Sequence, residues 1–276
     1  MCRWISYSGD PISLESILIT PQNSLIDQSM SAKMSAKPTN ADGFGVGWYG
    51  RNNEPGIYRS TLPAWGDQNL KEISHHISSG LFMAHVRRST GTPVQTSNCH
   101  PFRHANWMFV HNGLIRDFQK IRRELVVTVD PKYFSYMEGN TDSELIFFLA
   151  LTFGLREDPL RAVELTIGLI EKLAKEQGTA FPIQMSLGIT DGQKLYAFRY
   201  SSEGDSRSLF YSNSADEIKA LYPDNLRARD LTSNMRAVVS EPLSDLQGVW
   251  LPVDESTMLI VEQGDVSMQP FKPHAP

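Results

Sequence analysis

The chain has 276 residues, 41% hydrophobic and 21% charged, so it carries enough apolar material for a core of normal size and extended disorder is excluded. Its 26 basic and 31 acidic side chains give a net charge of −5, with no Lys/Arg run of the kind that tracks a phosphate backbone, so nucleic acid is not an expected partner. No apolar leader follows Met1, and the longest apolar run, Leu145 to Leu155, falls short of the ~20 residues that span a bilayer; a soluble cytoplasmic protein without a membrane partner is expected.

Cys2 to Ser8 alternates apolar and polar side chains and predicts a strand at the very start of the chain. Ser13 to Ile19 and Ser24 to Met30 follow as short helices, and residues 31–41 as a loop. Phe44 to Tyr49 is a strand, and with Gly43, Gly45 and Gly47 one of its faces has no side chains. Glycine in a strand means that something comes close to the backbone. Gly56 to Ser60 is a weak strand, and Asp67 to Ser79 a helix with Leu70, Ile73 and Ile77 on one face. Leu81 to Arg87 and Trp107 to His111 are buried strands. Leu114 to Val126, Thr141 to Phe153 and Leu160 to Gln177 are helices, the second opened by a Thr141/Glu144 capping box.

Strands return at Ile183–Thr190, Lys194–Arg199, Ser208–Tyr211, Ala237–Ser240 and Met258–Glu262, the first two joined by an Asp191-Gly192 turn. Residues from about 265 to 276 read as a loose tail. No linker, repeat or low-complexity stretch interrupts this order. Strands, helices and strands again imply one α+β domain over residues 1–276 with its sheets in the middle.

The chain has two cysteines, Cys2 and Cys99, which suits a reducing compartment with a thiol kept for chemistry. Once Met1 is removed, Cys2 carries a thiol and a free α-amino group on one residue. An amine titrating near ~7.7–8.0 is well matched as general base to a thiol near ~8.5. By itself this is one residue in a suggestive place.

Three later segments give it company: Ala84-His85-Val86-Arg87-Arg88-Ser89-Thr90-Gly91, His111-Asn112-Gly113 and Gly139-Asn140-Thr141-Asp142-Ser143-Glu144. With Cys2 they resemble the class II glutamine amidotransferases, which are N-terminal-nucleophile enzymes. Cys2-Arg3-Trp4, residues 40–45, 98–102 and 240–243 are most similar to the stand-alone, YafJ-type branch. The ergothioneine-pathway γ-glutamyl hydrolases and the glutathione-degrading amidotransferase subunits of yeast are similar too. The resemblance runs from about residue 2 to 264.

That resemblance implies a four-layer αββα sandwich. It implies Cys2 as nucleophile, Arg87 and Thr90 on the substrate α-carboxylate, Asp142 on its α-ammonium, and Asn112 with Gly113 as oxyanion hole. The residue types suit these roles. A guanidinium grips a carboxylate with two parallel bonds, and an Asn amide and a glycine N–H are neutral donors that can be fixed in advance. Each has a plainer reading: Arg87 or its opposite-facing neighbour Arg88 as a surface ion-pair residue, Asn112-Gly113 as a turn, and Asp142 as a first-turn acid favoured by the helix dipole.

Other features are set aside. Gly43-x-Gly45-x-Gly47 lacks dinucleotide-binding spacing, Cys99-His100 are adjacent and make a poor dyad, and His75-His76 belong on a surface. His85, His100, His104 and His111 match no metal spacing. No cofactor and no metal is expected.

The implied reaction is hydrolysis of a γ-glutamyl amide, glutamine or a γ-glutamyl peptide or conjugate, through a Cys2 thioester that releases glutamate. Two alternatives stay open: a glutaminase subunit feeding ammonia to a separate synthase, and a scaffold that binds γ-glutamyl metabolites without catalysis. A homo-oligomer or a separate synthase or peptidase subunit also stays open as a partner. The leaving group would be lined by loops such as 21–40, 63–68 and 92–98.

Overall fold

A computed structural model describes residues 2–34, 37–52, 54–89 and 91–276. Its strands are β1 (Arg3–Ser13), β2 (Phe44–Trp48), β3 (Gly56–Ser60), β4 (Ser78–Val86), β5 (Phe102–His104), β6 (Trp107–Ile115), β7 (Ile183–Thr190), β8 (Leu195–Ser201), β9 (Phe210–Ser212), β10 (Arg236–Val239), β11 (Trp250–Pro252), β12 (Thr257–Glu262) and β13 (Asp265–Pro270). Its α-helices are α1 (Glu15–Leu18), α2 (Leu25–Ser31), α3 (Gln68–His76), α4 (Phe118–Thr128), α5 (Pro131–Phe134), α6 (Asp142–Thr152), α7 (Pro159–Glu176), α8 (Ala215–Leu221) and α9 (Leu226–Arg229).

Alternation along the strands builds the layers. In β1, Ile5 and Tyr7 pack with Leu18, Leu25 and Leu70 of α1 to α3, while Trp4 points the other way. In β4, Phe82, Ala84 and Val86 join the helices, and Leu81 and Met83 join Trp4. In β6, Met108 and Val110 meet Trp4 and Met83, whereas Trp107 and Phe109 face α4, α6 and α7. The two sheets are therefore stacked face to face, each with helices on its outer side. One is seven-stranded, ordered β11-β9-β10-β1-β4-β2-β3; the other is six-stranded, ordered β13-β12-β8-β7-β6-β5. This is the αββα sandwich that the resemblance implied.

The glycine stripe of β2 is filled from the facing layer. A Cβ on Gly45 would overlap the His100 carbonyl, and one on Gly47 would overlap the Met108 sulfur. α6 is buried on almost every residue, as a helix apolar all round should be. Among the described residues no helix is long and apolar enough to cross a membrane.

Four expectations are corrected. β6 does not end at His111. It runs on through Asn112-Gly113, paired with Ser186 and Met185 of β7, so α4 starts at Phe118 rather than Leu114. The ladder to β7, with Ile115 N–H donating to Asp142, supplies the extra strand bonds that a local pattern cannot show. α3 stops at His76 and β4 begins at Ser78, where the chain turns back to pair with β1. The Thr141/Glu144 box is half formed: Thr141 caps the Glu144 N–H, but the Glu144 carboxylate accepts from Glu138 and Gly139 instead.

Finally, the C-terminus is not loose. β13 pairs with β12 over residues 265–270, and Phe271 is buried against Phe198 and Tyr200. Phe271→Ala should therefore cost about 3–5 kcal/mol in a urea titration; a loss within the scatter of a surface substitution contradicts the docked terminus.

Candidate active site

Cys2 precedes β1 by one residue and shares its parity with Trp4, so it belongs to the face between the two sheets. It is half-buried. Its Sγ lies 3.4 Å from the Arg88 N–H, which donates to it, and 3.5 Å from the Arg88 carbonyl. Burial pushes the thiol pKa up. The Arg88 N–H and the Arg87 guanidinium pull against that, and the Asp142 carboxylate adds to it.

The strand start is clamped from behind. Arg3 Nε donates to Glu241 at 2.8 Å with both side chains 1% exposed, and Arg3 Nη1 donates to the Cys2 carbonyl at 2.9 Å. Glu241 also accepts from the backbone N–H groups of Lys33 and Met34, both at 2.9 Å, and from Asn23. Burial raises the Glu241 pKa, but these donors outweigh it and hold the carboxyl below its ordinary value. Trp4 then ties one sheet to the other, its indole N–H donating to Ser186 at 3.2 Å. Ser186 is the β7 partner of Asn112.

Arg87 sits just past β4, held by an N–H bond to the Gly43 carbonyl. Its guanidinium is buried and donates, among the described residues, to neutral oxygens: Thr92 Oγ1 at 2.7 Å, the Asp42 carbonyl at 3.3 Å and Ser89 Oγ at 3.4 Å. No carboxylate pairs with it among the described residues, so it is not a surface ion-pair residue. Arg88 points the other way, to the Lys37 carbonyl.

Asp142 opens α6. Its Oδ2 accepts from Ile115 N–H at 3.0 Å, and its Oδ1 from Ser143 N–H at 2.7 Å. No cation pairs with it among the described residues. The side chain of Asn112, in a residue 2% exposed, makes no hydrogen bond among them either. Gly113 has no room for a side chain: a Cβ would overlap both the Gln184 carbonyl and His111 Nε2. Loop and helix are fastened together by Asn98, which exchanges bonds of 2.9 and 3.0 Å with Asn140.

Of the six residues marked from sequence, Arg87 and Asp142 lie within electrostatic reach of Cys2, and Asn112 and Gly113 lie on β6, where Asn112 pairs with Ser186, the residue that Trp4 binds. Thr90, like Met1, lies outside the described residues. Of the proposed lining loops, 92–98 reaches Arg87 through Thr92, whereas Ala64 of 63–68 packs among Leu18, Leu25 and Phe44 in the outer helical layer.

Three histidines lie behind the site. His85 Nε2 bonds the His111 carbonyl at 3.1 Å, the His85 and His100 rings are 4.1 Å apart, and His111 Nδ1 bonds Ser143 at 2.8 Å. Burial lowers the His85 pKa to about 3 and that of His111 to about 4, and drives His100 well below its usual value. They are neutral packing groups at ordinary pH. Among the described residues no group of three or more His, Cys, Asp or Glu is placed to hold a metal. A cavity of about 640 Å³ opens elsewhere, between Tyr7, Tyr222, Leu226 and Trp250, and touches none of the site residues.

Glu241 carries a role that sequence reading left blank. Residues 240–243 stood out only by resemblance; a charged Arg3 in a strand of buried residues was the physical signal that a buried counterion had to exist.

This is the four-layer sandwich of the N-terminal-nucleophile hydrolase type, with Cys2 just before its first strand. The comparisons agree. Residues 22–275 match the family described as class-II glutamine amidotransferases, and the chain belongs to that family. It is accordingly an enzyme of amide C–N bonds, with γ-glutamyl amides as the general substrate class.

It is 30% identical to the probable glutamine amidotransferase DUG3 of Saccharomyces cerevisiae, over 98% of this chain and 84% of that one. It is 25% identical to the γ-glutamyl-hercynylcysteine sulfoxide hydrolase of Mycolicibacterium smegmatis, over 98% and 100%. The solved structure of a class-II glutamine aminotransferase domain protein from Silicibacter pomeroyi is similar at 34% identity and a TM-score of 0.74, covering 99% and 100%. PRPP amidotransferase of B. subtilis, 15% identical with a TM-score of 0.61, shares the fold over 98% of this chain and 49% of its own.

Gly113→Ala should lower stability by about 1–3 kcal/mol and displace the strand end; a variant as stable and as active as wild type contradicts the tight fit at Gly113. The histidines give a pH dependence of definite sign. Their folded pKa values lie below the ordinary 6.5, so the unfolded chain binds more protons in acid. Stability is full above about pH 6.5 and should decline as pH falls toward about 4 and then 3. His85→Gln keeps a donor for the His111 carbonyl without titrating, and urea midpoints across this range should decline less steeply; an unchanged slope contradicts the assignment.

Proposed function

We propose that the protein hydrolyses a γ-glutamyl amide through a γ-glutamyl thioester on Cys2 and releases glutamate. The observation that carries this reading is the charge pattern around the thiol: among the described residues, a buried Arg87 with only neutral partners and an Asp142 with only N–H and hydroxyl partners. The α-carboxylate and α-ammonium of a glutamyl group complement that pair, with Arg87 at one end and Asp142 at the other. Thr90 would add a hydroxyl bond to the carboxylate.

The thiol needs a base. Burial holds it protonated, and its Sγ bonds only the Arg88 backbone among the described residues. The α-amino group of Cys2, freed by removal of Met1, is on hand and titrates near ~7.7–8.0. It takes the Sγ proton as sulfur attacks the γ-carbonyl carbon. The carbonyl oxygen becomes the oxyanion and is met by the Asn112 amide and the Gly113 N–H; deleting one such donor costs about 2.7–4 kcal/mol of barrier. The amine then passes its proton to the departing nitrogen and the C–N bond breaks. Water, deprotonated by the same amine, attacks the thioester, freeing glutamate and the thiol. The names of the similar proteins, a glutamine amidotransferase and a γ-glutamyl hydrolase, support the same chemistry. The retained set of site residues favours catalysis over a binding scaffold.

Glutamate release from glutamine and from γ-glutamyl peptides checks the reading. Cys2→Ala should abolish it, and Arg87→Ala should lower kcat/KM about ten- to hundredfold. Equal release by wild type and Cys2→Ala sinks the mechanism.

A further inference from the structure

The loop between β8 and β9 brings a second cation to the cleft. It crosses from sheet to sheet. On one side the Gln184 side chain of β7 donates to the Asp205 carbonyl at 2.5 Å, and Gln184 is the β7 partner of Leu114, next to Gly113. On the other side Ser208 donates to the Ser240 carbonyl at 2.7 Å, and Ser240 is bonded through its N–H and hydroxyl to Trp4, two residues past Cys2. Leu209 anchors the loop between the sheets. Arg207 is thereby held between the strand of the oxyanion donors and the strand of the nucleophile, within electrostatic reach of Cys2, Arg3 and His111.

Arg207 is conspicuously unused. It is half-buried, it makes no hydrogen bond or ion pair among the described residues, and its Nε is sealed from solvent with no partner. Its neighbour Ser206, by contrast, is engaged by Glu255 and Arg199. Asp205 favours the charge of Arg207 but is not close enough to form an ion pair. A desolvated guanidinium without an acceptor is costly, and the cost is offset when an anion arrives.

The charge count says which anion. On the reading above, Arg87 and Asp142 are matched by the α-carboxylate and α-ammonium of the glutamyl group. Arg207, held beside the strands that carry Cys2 and Gly113, is then left over, and glutamine has nothing to offer it. We infer that Arg207 is a specificity-determining residue that binds a carboxylate on the leaving group, so that the preferred substrates are γ-glutamyl amino acids or peptides with a free carboxylate rather than glutamine. This rests on the proposed γ-glutamyl hydrolase reading and narrows it.

The test compares γ-glutamylalanine with γ-glutamylalaninamide, which differ only in the carboxylate. Wild type should favour the acid by about ten- to hundredfold in kcat/KM, the range of one charge-assisted hydrogen bond. Arg207→Gln should erase that preference by slowing the acid while leaving the amide within about threefold, and Arg207→Lys should restore part of it. A preference that survives in Arg207→Gln, or an equal loss for both compounds, overturns the inference. Calorimetric binding of the two compounds to Cys2→Ala, with and without Arg207→Gln, gives the same comparison without turnover; no binding of either, or equal binding, overturns it as well. Turnover by Cys2→Ala equal to wild type would instead contradict the thioester reading, while the binding comparison still decides Arg207.

Discussion

The buried pair between Arg3 and Glu241 fixes where the first strand starts. Chain termini ordinarily fray, yet here the residue next to Cys2 is locked at 1% exposure. Such a pair adds little net stability over an apolar substitute, because both ions are stripped of water. Breaking it by removing one partner is costly, about 3–5 kcal/mol, because a bare charge stays behind. Its value is position. Arg3 carries the Cys2 carbonyl, and Glu241 draws in Asn23, Lys33 and Met34, so the segment after α1 and the start of β1 hang on one carboxylate.

From that anchor the placement of the neighbouring side chains follows. With Arg3 turned toward Glu241, parity turns Cys2 and Trp4 the other way, into the space between the sheets. Trp4 reaches Ser186 there, and the β6–β7 ladder sets Asn112 opposite Ser186. Arg87 shares the inward parity of Met83 and His85 on β4, and the Ile115 N–H holds Asp142 at the head of α6. The three histidines packed behind β4 and β6, His85, His100 and His111, are neutral because they are buried.

Much of this was legible in the sequence, for identifiable reasons. Strands with strong alternation, such as Ile183–Thr190, kept their predicted bounds. The bare glycine face of β2 announced close packing correctly, with the His100 and Met108 segments supplying what fills it. What failed depended on partners remote in sequence. Asn112-Gly113 reads locally as a turn and becomes strand only because β7 pairs with it. The C-terminal residues look like a polar tail until β12 and the Phe198/Tyr200 pocket receive them. Glu241 and Arg207 lie more than two hundred residues from Cys2 in sequence, and no local pattern connects them to it.

On the proposed mechanism, Cys2 is acylated once its amine is free. Peptide mass spectrometry of acid-quenched turnover mixtures tests it directly, on chains that begin at Cys2 and on chains that keep Met1. A γ-glutamyl adduct on the Cys2 peptide of the processed chain alone is the expected result. An adduct on Cys99 or any other residue, or equal acylation of chains that retain Met1, would contradict it.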